Sequence, residues 1–128
     1  MPARDSYDYA VVRVVPRVDR EEFINAGVIL FCKARRYLSA CVQVDDERLR
    51  ALAADVDLEL VRRHLEAIPR ICAGEADAGP LARLSQSERF HWLVSPHSTM
   101  IQSSPVHGGI CEDPEGRLDA LFRQLVAR

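Results

Sequence analysis

Residues 7–15 read Tyr-Asp-Tyr-Ala-Val-Val-Arg-Val-Val. Tyr7, Tyr9, Val11, Arg13 and Val15 fall on one side of an extended chain, and Ala10, Val12 and Val14 on the other. Both sides are largely apolar, so this strand belongs in the middle of a sheet rather than at its edge. Pro16, which has no N–H to donate, ends it. The next strand is as apolar: Val28-Ile29-Leu30-Phe31-Cys32, led in by Asn25 and Gly27. Gly27 marks a bulge or a close backbone approach. After the turn at 33–36, residues 37–44 alternate, with Leu38, Ala40, Val42 and Val44 to one side and Ser39, Cys41 and Gln43 to the other.

Then the period changes from two to 3.6. Asp45 or Asp46 can cap a helix that carries Leu49, Leu52, Ala53 and Val56. Asp57 can cap the next, with Leu58, Val61, Leu65, Ile68 and Cys72 as its stripe and Pro69 predicted to end or kink it. Residues 74–80 are a loop, and 81–88 are ambiguous between a loop and a helical turn. Residues 90–94 and 99–103 read as strands, each closed by Ser-Pro, and 106–111 as irregular chain. Asp113-Pro114-Glu115 opens a last helix, with Leu118, Leu121, Phe122, Leu125 and Val126 on one face. The expected fold is one α+β domain over residues 1–128. It has a single antiparallel sheet of about five strands, in the order β-β-β-α-α-β-β-α, with helices packed on one face.

The bulk numbers exclude several classes. The chain has 128 residues, 48% hydrophobic and 28% charged, as in a folded domain rather than a disordered chain. The longest apolar run, residues 26–32, is too short to cross a bilayer. No signal peptide is visible, so a cytoplasmic location is expected, with Cys32, Cys41, Cys72 and Cys111 reduced. A net charge of -2 argues against a dedicated duplex-binding domain. The arginine pairs at 35/36, 48/50 and 62/63 are too few or too interleaved with acids to carry nucleic-acid binding, which remains a weaker alternative.

Chemistry-bearing motifs are sparse. His64, His91, His97 and His107, even with Cys111, match no zinc spacing, and no metal or cofactor is expected. Ser98, Thr99, Ser103 and Ser104 lie near His107, Glu112 and Asp113, but no G-x-S-x-G elbow frames a nucleophile. Gly108-Gly109 lacks a phosphate-loop context and is read as allowing an unusual turn. The densest polar stretch, residues 89–107, holds Arg89, Trp92, Ser98, Thr99, Gln102 and His107. Its tryptophan is the only one in the chain, and serves either as core cover or as an anchor for a partner.

Two segments resemble the bacterial family named for "domain of unknown function 3037". One joins residues 7–16 to Glu22-Phe23-Ile24-Asn25-Ala26-Gly27-Val28-Ile29-Leu30. The other runs from Arg89-Phe90-His91-Trp92-Leu93 through Pro96-His97-Ser98-Thr99-Met100-Ile101-Gln102 to Ser104-Pro105-Val106-His107 and Gly109. With the 113–115 helix start, the resemblance runs nearly end to end. Its pattern residues here are Arg13, Asn25, Gly27, Arg89, Trp92, Ser98, Thr99, Gln102 and His107. At His97 the family is expected to carry Arg more often, which counts against a metal-ligand role. Members often lie beside genes for HipA-like kinases, so the resemblance implies a kinase partner or a regulatory role.

Two functional expectations follow. In the first, the protein is an accessory module that binds another protein through the surface stretch around Trp92 to His107, so that alanine at Trp92 or Arg89 removes binding and spares stability. In the second, it is a small enzyme or ligand binder in which Arg13, Asn25, Ser98, Thr99 and His107 converge on one pocket. That second reading requires His107 within about 10 Å of its partners, the reach of a shared hydrogen-bond network.

Overall fold

β1 (Asp5–Val14) is the spine of the sheet. A computed structural model describes residues 4–96 and 99–127. β2 (Ile24–Cys32) pairs antiparallel with one side of β1, and β3 (Tyr37–Val42) pairs antiparallel with β2. Along its other side β1 carries two short strands end to end. β4 (Ile101–Ser103) lies against Val12–Val14, and β5 (His107–Cys111) against Asp5–Tyr9. The result is the expected α+β domain with one antiparallel, five-stranded sheet.

The strand at 90–94 is corrected. Those residues finish a helix, α3 (Gln86–Val94). Ser85 accepts from the Glu88 N–H while the Glu88 carboxylate accepts from the Ser85 N–H, so the two satisfy each other's free ends. A run of five apolar or aromatic residues fits a strand or a buried helix turn equally well. The fifth strand comes instead from 107–111, read as irregular, and the order becomes β-β-β-α-α-α-β-β-α.

α1 (Asp46–Leu52) and α2 (Leu58–Ala73) start as the caps require: Asp45 and Asp57 each accept a backbone N–H, from Arg48 and Leu60. Pro69 does not end α2, which continues to Ala73 and stops at Gly74 in the left-handed conformation. α4 (Pro114–Leu125) begins at Asp113 with Pro114 in the first turn, although the Asp113 carboxylate makes no capping bond.

Helices cover both faces. Val12, Val14, Ile29 and Phe31 bury one face against Val61, Leu65, Ile68, Phe90 and Leu93 of α2 and α3. Val28, Leu30 and Cys32 bury the other against Leu118 and Leu121 of α4. The expected single helical layer is therefore α1–α3, and α4 adds a second one behind the sheet. β2 is apolar on both faces, so one layer of helices would leave half of it in water.

The register slips between Val12 and Arg13, with Ala26 as the extra residue, which sets Asn25 opposite Arg13. Gly27 sits at the same bulge. A Cβ there would lie 2.7 Å from the Cys41 carbonyl oxygen and 2.8 Å from Val42 Cγ1, so only glycine lets β3 approach. Gly109 makes room rather than a turn: Tyr7 Oη stands 2.5 Å from where its Cβ would be.

Candidate functional site

Where α2, α3 and β4 diverge they leave a groove of about 540 Å³. Its floor is apolar, formed by Val12, Ile29, Ile68 and Ile71, with Met100 and Ile101 on the β4 side. His64, Thr99, Gln102 and Ser103 supply its polar groups. Trp92 lines it from α3 and is 44% exposed, so the indole is not core cover. An apolar concavity with a few polar groups is the usual form of a binding site.

Arg89, three residues earlier on the same helix, does something else. It is buried, and its Nη1 donates to the carbonyls of Ile71 (2.9 Å) and Cys72 (2.8 Å), while Nε donates to that of Leu84 (3.0 Å). The guanidinium thus adds donors at the end of α2, where the Ile71 carbonyl also accepts the Gly74 N–H. Arg89 is thus held inside the fold rather than exposed beside Trp92. Beside it, burial pushes the Cys72 thiol up to about 12, against the opposing pull of the Arg89 charge.

On the α4 side of the sheet a second constellation forms. The Arg13 guanidinium lies 4.2 Å over the Phe23 ring. Asn25, opposite Arg13, donates from Nδ2 to the Leu125 carbonyl at 3.2 Å and so ties down the end of α4. Phe23, Asn25, Arg48 and Gln124 line a polar cleft of about 330 Å³ here, and Gln43 and Asp45 extend it.

His107 belongs to neither place. It pairs with Tyr9, its ring 5.4 Å from the Tyr9 ring. Asn25 is four residues further along β1 and on the opposite side of it, which at ~3.3 Å per residue and ~4.8 Å per strand puts the two Cα atoms roughly 16 Å apart. Thr99 is with Trp92 at the groove, its Oγ1 donating to the Ile101 carbonyl, and Gln102 Nε2 donates to the Thr99 carbonyl. Ser98, like His97, lies outside the described residues. Of the described residues of the second expectation, Arg13 and Asn25 are strand partners, Thr99 lines the groove and His107 lies apart from Asn25; Gln102 is the partner of Arg13 on the other side of β1 and also lines the groove.

A family model described as "Protein of unknown function (DUF3037)" matches residues 9–126. The chain belongs to that family. The match takes in the groove and the cleft alike. No curated protein and no solved structure matches the chain.

Reading by residue type misses several members of these sites. His64 and Arg48 look like solvated helix positions, yet His64 lines the groove and Arg48 the cleft. Phe23 looks like part of a polar connection, yet it carries Arg13. The available signal for Phe23 is its spacing of two from Asn25, which puts both on one side of an extended chain. Nothing in the sequence marks Arg48. Among the described residues, no three His, Cys, Asp or Glu side chains are grouped to hold a metal ion.

Proposed function

We propose that the protein is an accessory or regulatory module of the cytoplasm that binds another protein through the groove beside Trp92. The observation that carries this reading is a 44%-exposed tryptophan at the side of an apolar groove. Tryptophan is the residue most favoured as an interface anchor, because a large rigid surface is desolvated at little entropic cost. The partner class to test first is a HipA-like kinase, the one that the family resemblance implies.

The test is capture from the native host with wild type and Trp92→Ala in parallel, followed by titration of the captured protein. Trp92 is the only tryptophan, so its emission in this chain reports directly on the groove. One stoichiometric partner that changes that emission and is lost with Trp92→Ala supports the reading. Capture undiminished by the substitution, or no partner at all, overturns it. The melting temperature separates lost binding from lost folding: a surface substitution of this kind changes stability by within about 0.5 kcal/mol.

A further inference from the structure

Among the described residues, the arginines are satisfied in three ways, with two exceptions. Seven of them reach carboxylates. Arg89 is buried on carbonyls. Arg36, Arg50, Arg63, Arg83 and Arg117 are exposed to water. Arg13 and Arg48 are half-buried, and neither guanidinium has a carboxylate or carbonyl acceptor among the described residues. The Arg13 Nε is a buried donor with no acceptor. Arg48 lines the cleft beside Asn25, and Arg13, the strand partner of Asn25, borders it behind the Phe23 ring on which it lies. A half-buried guanidinium has given up hydration and offers five N–H donors in a fork that fits an oxyanion.

We infer that the cleft between the start of β2, the segment after β3, α1 and the end of α4 binds a compact oxyanion, the carboxylate or phosphate group of a small molecule. Asp45 and the end of α4 line the same space. The Asp45 carboxylate accepts the Arg48 N–H, and the Leu125 carbonyl accepts from Asn25. These acceptors disfavour a bare polyanion and favour an occupant that also carries a hydroxyl or amine donor. The site is separate from the groove at Trp92, so each can hold or fail without the other.

Inorganic phosphate and lactate, each an oxyanion with a hydroxyl, are the probes. Each is titrated against chloride at constant ionic strength, with the arginine Nε–Hε signals followed by NMR. The expected result is a saturable shift at Arg48, the arginine that lines the cleft, with at least one probe. Arg48→Gln should weaken it by about tenfold or more, the scale of one charged contact. Arg48→Lys should retain part of it, because the charge stays and the fork is lost. The exposed Arg83→Gln should leave it unchanged. Saturation by phosphate alone or lactate alone identifies which oxyanion the site reads. Absence of saturation with both, saturation that survives Arg48→Gln, or equal loss in Arg83→Gln overturns the inference. Arg13→Gln is the second variant, and if it fails to fold, Arg48→Gln decides.

Discussion

Two glycines show how narrow the tolerances are at the residue scale. A Cβ at Gly27 meets a backbone carbonyl and a valine methyl, while one at Gly109 meets the end of the Tyr7 side chain. A ring can swing aside and a paired strand cannot. Gly27→Ala is therefore expected to cost more than Gly109→Ala, with overpacking on the order of 1–3 kcal/mol as the scale. Urea unfolding of both variants checks the order, and the reverse order would contradict the register of β2 on β3. Ser104 gives a second case. It is buried, its Oγ accepts the Val11 N–H at 2.8 Å, and the same hydroxyl donates to the Pro105 carbonyl at 2.8 Å. Ser104→Ala strands the Val11 donor, at a cost of about 1–3 kcal/mol. Ser104→Ala should also speed hydrogen exchange at the Val11 amide. Gly27 was legible as a bulge or close approach from glycine inside an apolar strand. The hydroxyl of Ser104 was not, because Ser beside Pro looks the same in any turn.

At the scale of elements, α3 carries two neighbouring roles that sequence could not separate. Arg89 and Trp92 are three apart, and both belong to the residue types favoured at interfaces. Tertiary contact divides them: Arg89 closes the end of α2, and Trp92 lines the groove. Arg89→Ala should lower stability by on the order of 2–4 kcal/mol, since it removes charged donors from buried carbonyls. Thermal melts of Arg89→Ala and Trp92→Ala side by side test this division. Equal losses would mean that both are structural. The capping box Ser85/Glu88 was the readable sign that 86–94 is helical, and it lies outside the apolar run that suggested a strand.

For the whole molecule, buried acids set the response to alkali. Burial raises the Cys72 thiol from 9.0 to about 12 and also raises Cys41, Cys111, Tyr7 and Tyr37. The folded state therefore keeps protons that the unfolded state releases. Where the unfolded state binds fewer protons, stability falls as pH rises. For Cys72 the fall begins near 9.0 and continues toward about 12. The urea midpoint should drop steadily over that window, and Cys72→Ala, although less stable at neutral pH, should show a shallower drop. An unchanged slope would mean that the thiol is not shielded as the fold implies. No helix among the described residues is long and apolar enough to cross a membrane.

Local periodicity determined the strands of the first half, both aspartate caps, the amphipathic faces of α2 and α4, and the central place of a strand apolar on both sides. Those are properties of a chain and its nearest neighbours, and residue pattern encodes them directly. Tertiary structure alone decided that α4 covers the back of the sheet, that Arg89 is a clamp, and that Arg13 and Arg48 are both neighbours of Asn25. It also separated His107 from both sites. Each of these depends on which distant segment supplies an acceptor, a ring or a wall, and a side chain reads the same in sequence whether that neighbour is protein or water.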